Sequence, residues 1–359
     1  MDSGLFIDCY KGCFTFDKYV TISCIVCKKK KKKIYILSKN SLEKVVKSKY
    51  TIIKGVDFVM LKRKIEQKLI DWKNAKEHKP LIIKGCRQCG KTFSVLEFAK
   101  NNYKNVVYLN FFENPDYASV FSGSLEIDNI IMMLSALLGK GAVFEAGETV
   151  LILDEIQECP EARTALKFFQ MDGRFDVIGT GSLLGVKGYG KEPRSVPVGY
   201  ETVIDMYPLD FEEFLIANGV GKEALEEQKR LFDNEISPDA ETHTFFLDLF
   251  RKYLLTGGLP DAINEYLKSR NIHKIRAIQD ETRAFYAMDA ARYDKENKLK
   301  VERLFNVIPS TMENKKKRLI VRRIEEKRGK TFSDYSDELT YVVNSGIALE
   351  VDAISNPSY

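Results

Sequence analysis

Four short apolar runs separated by helical segments constrain the fold of this chain more than any other feature. The apolar runs cover residues 81–83, 106–109, 150–153 and 175–178. Helical periodicity covers the segments between them, at residues 93–100, 127–138 and 162–169. Strands that are mostly apolar, rather than alternately apolar and polar, are typical of a parallel sheet covered on both faces. Because strands alternate with helices, the sequence predicts an α/β fold with three layers, a parallel sheet between two layers of helices.

The loop after the first apolar run matches a phosphate-binding pattern. Gly85 is followed, after four residues, by Gly90, Lys91 and Thr92, and a helical segment begins directly afterwards. In such a loop, backbone N–H groups and the helix N-terminus converge on an anion. We expect Lys91 to contact the β- and γ-phosphates of ATP and the Thr92 hydroxyl to bind Mg²⁺. The predicted ATP-binding residues are Gly85, Cys86, Arg87, Gln88, Cys89, Gly90, Lys91 and Thr92.

Cys86 and Cys89 form a Cys-x-x-Cys pair inside this loop. A zinc site would need two further ligands and would compete with phosphate for the same loop, so free thiols are the favoured interpretation. A reversible disulfide that blocks nucleotide binding is the alternative. Four further cysteines near the N-terminus have no histidine nearby and are also expected to be free thiols: Cys9, Cys13, Cys24 and Cys27.

Two adjacent carboxylates, Asp154 and Glu155, follow the third apolar run. The carboxyl ends of buried parallel strands form the edge at which such sheets bind ligands. We therefore expect Asp154 to hold Mg²⁺, directly or through water. Glu155 would orient or deprotonate the water that attacks ATP. An acidic strand end that faces solvent is the alternative.

The fourth apolar run ends in Thr180, Gly181 and Ser182. A hydroxyl at this strand tip, from Thr180 or Ser182, would hydrogen-bond the γ-phosphate or the attacking water and thereby report the nucleotide state. A plain turn is the alternative. An acidic pair followed by a polar strand tip favours hydrolysis coupled to conformational change over phosphoryl transfer to a small molecule.

The net charge of +5 comes from one tract, the six consecutive lysines at residues 28–33. Without that tract, 50 basic residues face 51 acidic ones, so the bulk of the chain is nearly neutral. No apolar run reaches the roughly 18 residues that a membrane span needs. The apolar stretch at residues 19–26 is a poor secretory signal. The sequence therefore predicts a cytoplasmic protein without a membrane partner.

Composition and periodicity divide the chain into four parts. Residues 1–59 are expected to be a low-complexity, disordered extension that comes from upstream translation, with Met60 as the natural start. Residues 60–215 contain the alternating strands and helices, and residues 216–295 contain successive helical segments. Residues 296–359 combine helical segments with a basic stretch.

Five segments in this order resemble prokaryotic AAA-type ATPases that carry a C-terminal domain of unknown function. They are GCRQCGKT, LILDEIQ, VIGTGSLLG, VPVGYETVIDMYPLDFEEFL and YLLTGGLPDAI. The resemblance extends from residue 60 to about residue 350. It implies a three-layer AAA core with the roles given above for Lys91, Thr92, Asp154 and Glu155, and a sensor at Thr180 or Ser182. It also implies that the segment MYPLDFEEFL is the last core strand running into a helix.

The chain departs from this family at two places. Tyr200 stands where the family often has a basic residue, and the family's C-terminal domain continues beyond residue 359. Residues 296–359 are therefore expected to be an incomplete winged-helix-like region. Relatives often place an arginine across a subunit boundary, which implies possible oligomerisation. The candidates for that arginine are Arg163, Arg174 and Arg194.

The basic stretch in the last part of the chain is a candidate DNA-binding surface. In relatives this region resembles a winged helix, a fold that docks a helix in the DNA major groove. A solvated helix face, partly neutralised by Glu325 and Glu326, is the alternative. The basic residues are Lys315, Lys316, Lys317, Arg318, Arg322 and Arg323.

The sequence thus predicts a P-loop nucleoside triphosphatase that binds ATP and hydrolyses it with Mg²⁺, using the reaction as a conformational switch. Two alternatives stay open. One is a nucleotide-gated DNA-binding regulator with little hydrolysis, and the other is an inactive truncated remnant of the family.

Overall fold

The computed structural model describes residues 13–16, 20–23, 60–139, 142–182, 199–293, 298–312, 319, 324 and 331–350. The chain divides into two compact units, residues 1–35 and residues 36–359. In the first unit, β1 (Cys13–Phe16) pairs with the antiparallel β2 (Val20–Ser23), with Cys13 opposite Ser23. No strand was predicted here, although the second strand, Val-Thr-Ile-Ser, alternates apolar and polar residues. The other predictions for residues 1–59 lie outside the described residues.

The second unit contains the predicted parallel sheet, which has five strands in the described residues. Its strands lie side by side in the order β4-β5-β6-β3-β7, and every neighbouring pair is parallel. Four of them extend the predicted apolar runs by one to three residues at an end. The strands are β3 (Leu81–Lys84), β4 (Asn105–Asn110), β5 (Thr149–Asp154), β6 (Asp176–Gly181) and β7 (Thr202–Asp205).

The last strand, β7, corrects one expectation that came from the family resemblance. The segment MYPLDFEEFL does not contain it, because β7 ends at Asp205 and the next helix begins at Phe211. As an edge strand, β7 alternates partly buried and exposed residues. Such a strand does not read as a continuous apolar run. Met206 still reaches β3, donating its N–H to the carbonyl oxygen of Lys84 at 2.8 Å.

Helices cover both faces of the sheet and produce the predicted three layers. Alternate residues of β5 point to opposite faces: Leu151 and Leu153 join one hydrophobic core, and Val150 and Ile152 join the other. The first core lies under the third and fourth helices, the second under the first two. These helices are α1 (Lys64–Asn74), α2 (Lys91–Asn102), α3 (Ile127–Leu138) and α4 (Pro160–Asp172).

The rest of the described chain is helical, as the sequence indicated. A third hydrophobic core joins Leu61, near the start of the described part of the second unit, to Leu209, Phe214 and Ile263. None of the helices in the described ranges combines the length and the apolar character that a bilayer span requires. The helices are α5 (Phe211–Ala217), α6 (Lys222–Asp233), α7 (Ala240–Thr256), α8 (Pro260–Ser269), α9 (Ile272–Tyr293), α10 (Lys298–Met312) and α11 (Ser336–Asn344).

The predicted winged-helix-like region is described only in part. It contains α10, a 3₁₀ turn at Phe332–Tyr335 and α11. The six basic residues that made this region a DNA-binding candidate all lie outside the described residues.

Candidate functional site

The loop between β3 and α2 is shaped by two glycines for different reasons. A Cβ atom on Gly85 would lie 2.0 Å from the carbonyl oxygen of Met206, so the loop and the segment after β7 approach too closely for any other residue. Gly90 has a φ of 98°, in the left-handed region that side chains disfavour. The sequence pattern predicted both glycines, but only the sheet order explains the contact at Gly85.

Lys91 begins α2 and its side chain turns back under the loop. Its Nζ donates to the carbonyl oxygens of Gly85 at 2.9 Å and Cys86 at 2.8 Å, and the residue is 6% exposed. The ammonium group therefore lies inside the curve of the loop and donates to carbonyl oxygens that face inward.

Asp154 is the centre of a hydrogen-bond network at the carboxyl edge of the sheet. The Thr92 hydroxyl lies 3.2 Å from Oδ1 and 3.1 Å from Oδ2, and the Thr180 hydroxyl also donates to Oδ1. Two residues that the sequence analysis did not select complete the network. The Tyr108 hydroxyl and the Asn110 side-chain amide donate to Oδ2 at 2.7 and 3.0 Å.

Tyr108 and Asn110 reach Asp154 because β4 is the neighbour of β5. Asn110 lies directly opposite Asp154 in the register of the two strands. Burial raises the pKa of the Tyr108 phenol, and the negative charge of Asp154 raises it further. The phenol therefore stays neutral and donates its hydrogen bond. The only sequence signal for these two residues was the polar end of the second apolar run, YLN. That signal does not indicate a contact with Asp154 unless β4 is known to lie next to β5.

Glu155 follows in an unusual backbone conformation, with φ 52° and ψ 48°. Left-handed angles at a residue other than glycine cost free energy and are concentrated at functional sites. Its Oε2 accepts from the Gln157 side-chain amide at 2.5 Å and from the Ser182 hydroxyl at 3.4 Å. The two hydroxyls at the end of β6 therefore differ: Thr180 contacts Asp154, and Ser182 contacts Glu155.

A pocket of about 390 Å³ opens beside this network. Its volume lies within the range of small-molecule sites. One wall comes from the sheet edge and the loop, and the other from the residues before α1 and from α8 and α9. The lining residues are Leu61, Arg63, Arg87, Gln88, Gly90, Lys91, Thr92, Phe93, Ser94, Glu155, Pro260, Asp261 and Phe285.

Arg63 attaches the loop to the segment after β7 and to α5. Its guanidinium donates to the carbonyl oxygens of Cys89 at 2.8 Å and Tyr207 at 2.7 Å, and to the carboxylate of Glu213 at 3.2 Å. The sequence has no local signal for this residue, because its partners are 26 to 150 positions away.

The C-terminal helices hold the middle of the loop. The Thr282 hydroxyl donates to Oε1 of Gln88 at 2.6 Å, and the Tyr286 hydroxyl donates to the carbonyl oxygen of Arg87 at 3.0 Å. A Cβ on Gly346, just after α11, would lie 3.1 Å from Cβ of Cys86. Three successive loop residues thus contact the part of the chain that follows the sheet.

Cys86 and Cys89 are buried free thiols. Their mutual hydrogen bond raises the pKa of Cys86 and lowers that of Cys89 to about 6. Burial opposes the shift at Cys89, and the positive charges of Lys91 and Arg63 assist it.

The described arginine candidates for a subunit boundary are both engaged within the chain. Arg163 pairs with Glu201 at 2.6 Å, and Arg174 pairs with Asp128 and Asp172. Arg194 lies outside the described residues. Tyr200, the departure from the family pattern, lies under Lys167, whose Nζ is 5.3 Å from the ring centroid.

The oxygen atoms around Asp154 suit a magnesium ion. Mg²⁺ prefers oxygen ligands and binds proteins through one or two carboxylates together with phosphate oxygens. The Thr92 hydroxyl and the buried Asp154 carboxylate provide such oxygens within 3.2 Å of each other, at the head of the loop.

Two family models match the chain. Residues 77–215 match a family described as an AAA domain, and residues 247–359 match a domain of unknown function (DUF8612). No curated protein matches the sequence.

Several solved structures of low sequence identity are similar. The Walker-type ATPase PABY2304 of Pyrococcus abyssi is 12% identical, with a TM-score of 0.47 over 80% of this chain and 90% of that chain. AMPPCP-bound DnaA from Aquifex aeolicus is 12% identical, with a TM-score of 0.33 over 79% and 88%. PCH-2 of C. elegans is 17% identical, with a TM-score of 0.30 over 65% and 63%.

Proposed function

Because the chain carries an AAA domain followed by a C-terminal domain of unknown function, we propose that it binds ATP with Mg²⁺ and hydrolyses it. One observation carries the proposal: the loop lysine, the loop threonine, the acidic strand tip and a pocket of substrate size meet at one edge of the sheet. Each is a part that phosphoryl-transfer sites require.

In this proposal, the backbone N–H groups of residues 85–90 and the start of α2 hold the phosphates of ATP. Lys91 exchanges its two carbonyl acceptors for oxygens of the β- and γ-phosphates. Thr92 and Asp154 hold Mg²⁺, which when bound offsets the negative charge of the phosphates. Thr180, Tyr108 and Asn110 orient Asp154, since all three donate to its carboxylate.

Glu155 has the position of a general base. It lines the pocket beside Lys91 and Thr92, and its carboxylate is held by Gln157 and Ser182. A carboxylate in this place orients the attacking water and accepts its proton. In this proposal the Ser182 hydroxyl orients Glu155, whereas the Thr180 hydroxyl orients Asp154.

The proposed use of hydrolysis is a conformational switch. Arg87 and Gln88 line the pocket and also contact Tyr286 and Thr282 of α9. A change in the loop when ATP binds or leaves would move those contacts. DNA binding through the basic stretch, oligomerisation and the inactive-remnant alternative stay predictions from the sequence.

Steady-state ATP turnover and equilibrium binding of Mg·ATP test the proposal. Lys91→Ala should lower the affinity for Mg·ATP by roughly 10- to 100-fold, because a charged hydrogen-bond donor is lost. Glu155→Gln should keep binding and lower turnover by roughly 10²- to 10⁴-fold.

Two exposed residues of α6 provide matched controls, Lys229→Ala and Glu226→Gln, which should leave both quantities unchanged. Turnover of Glu155→Gln equal to that of the unaltered protein would remove Glu155 from its role. Unchanged Mg·ATP binding in Lys91→Ala would remove the loop from the nucleotide site.

A further inference from the structure

Gln157 is a buried residue next to the proposed general base, and neither the phosphate-loop pattern nor the acidic pair accounts for it. It lies in the 3₁₀ turn Ile156–Glu158 and is 9% exposed. Backbone hydrogen bonds fix this turn, since the N–H groups of Glu158 and Cys159 donate to the carbonyl oxygens of Glu155 and Ile156. The turn therefore holds the backbones of Glu155 and Gln157 in a fixed relation, two positions apart.

The amide group of Gln157 orients the carboxylate of Glu155. Its Nε2 donates to Oε2 of Glu155 at 2.5 Å, and the Ser182 hydroxyl donates to the same oxygen at 3.4 Å. Both donors therefore use one carboxylate oxygen. Among the described residues no hydrogen bond reaches the second oxygen, Oε1.

The carbonyl oxygen of Gln157 has no hydrogen-bond donor among the described residues, although it is buried. Buried side-chain oxygens are nearly always paired, so an exception calls for an explanation. Nε2 and Oε1 belong to one planar amide, so Oε1 lies beside the carboxylate that Nε2 contacts. A water molecule that donates one hydrogen to Glu155 can donate its other hydrogen to Gln157.

We propose that Gln157 is a further residue of the hydrolysis site, whose Nε2 fixes Glu155 and whose Oε1 accepts a hydrogen bond from the attacking water. The inference rests on the proposed function, since it requires hydrolysis at Glu155. The water oxygen bonds to the γ-phosphorus, and the bond from that phosphorus to the β–γ bridging oxygen breaks with its electron pair on ADP. The proton of the water passes to Glu155 and then to the phosphate product.

A glutamine suits the contact with both Glu155 and the water better than chemically similar residues do. Its amide offers one donor to the carboxylate and one acceptor to the water. A glutamate would keep the acceptor but lose the donor and repel Glu155, and a leucine of similar size would lose both. An asparagine keeps both groups on a shorter side chain, so it should rescue part of the function.

Turnover and Mg·ATP affinity of the full chain test the inference with three variants. Gln157→Leu should lower kcat roughly 10- to 100-fold, with Kd for Mg·ATP within about threefold of the unaltered value. Gln157→Glu should lose as much, and Gln157→Asn should fall between Gln157→Leu and the unaltered protein. Combined with Glu155→Gln, the leucine change should cause no further loss, because the two residues act as a unit.

Gln170→Leu is a matched control. Gln170 also has a buried side-chain oxygen without a hydrogen-bond partner, but it lies in the last turn of α4, about 15 Å along the helix from Pro160. Its substitution should leave kcat unchanged. If Gln157→Leu does not fold, as judged by circular dichroism, Gln157→Glu and its combination with Glu155→Gln take over the test.

Each remaining outcome counts against the inference in a distinct way. Normal kcat in Gln157→Leu overturns it while the proposed function stands. An equal loss in Gln170→Leu, or a full further loss in the Glu155→Gln background, identifies a purely structural role and also overturns it. Absence of turnover in the unaltered protein overturns the proposed function and this inference together.

Discussion

At the scale of single residues, the site depends on side chains whose positions the neighbouring strands determine. Asp154 is 2% exposed and receives hydrogen bonds from residues on α2, β4 and β6. Asp154, Thr92 and Thr180 could be selected as candidate site residues from sequence motifs. Asn110 could not, since its role depends on β4 lying next to β5, which single-chain periodicity does not determine.

Gly85 gives a residue-scale prediction about folding. In Gly85→Ala the new Cβ would lie 2.0 Å from the backbone oxygen of Met206. A backbone atom cannot move aside as the end of a flexible side chain can. We expect the free energy of unfolding to fall by at least about 1–3 kcal/mol, the usual cost of overpacking. Chemical denaturation measures it.

Gly123→Ala is the control for this prediction, because nothing lies within 4 Å of the Cβ that it would add. Its free energy of unfolding should change by no more than about 0.5 kcal/mol. Equal stability of the two variants would show that the loop can move away from Met206.

At the scale of elements, α9 is the link between the loop and the C-terminal part of the chain. Thr282 and Tyr286 lie four positions apart and so on one helix face, and both contact the loop. Helical periodicity predicted α9 as a helix. It did not predict the contact, because the partners are 194 and 199 positions apart in the sequence.

Tyr286→Phe tests whether α9 affects nucleotide binding. The change removes one hydrogen bond to the carbonyl oxygen of Arg87 and should lower the free energy of unfolding by about 0.5–1.5 kcal/mol. The Kd for Mg·ATP should also change severalfold, because the loop loses a restraint. Calorimetry and denaturation measure the two effects.

Tyr253→Phe is the corresponding control. The Tyr253 hydroxyl also donates to a backbone carbonyl oxygen, that of Leu209 at 2.8 Å, but it does not line the pocket. This variant should lose similar stability and keep its Kd. If both variants keep their Kd, the contact between α9 and the loop is structural only.

At the scale of the whole molecule, the candidate site combines parts that are far apart in the sequence. Arg63, the loop between β3 and α2, and the residues Pro260, Asp261 and Phe285 line one pocket. The four apolar runs were enough to predict the layered sheet, because strands that are buried on both faces consist mostly of apolar residues. The edge strand β7 and the pocket's second wall were not predictable, because polar edge residues and long-range contacts leave no local pattern.

Hydrogen exchange with a non-hydrolysable ATP analogue tests this arrangement. Amide protection should rise in residues 85–92, and also in α9 around Thr282 and Tyr286, because the same contacts join both segments. Lys91→Ala, treated identically, should show neither change. Protection confined to the loop would contradict a response that reaches the C-terminal helices.

The approach of Gly346 to Cys86 has a thermodynamic consequence for anything that binds the C-terminal part of this chain. The backbone at Gly346 has a φ of 71°, and a Cβ there would lie 3.2 Å from the backbone nitrogen of Cys86. A ligand that displaces this segment alters the energy of the loop. By reciprocity, whatever factor such a ligand imposes on nucleotide affinity, the nucleotide must impose equally on the affinity for that ligand.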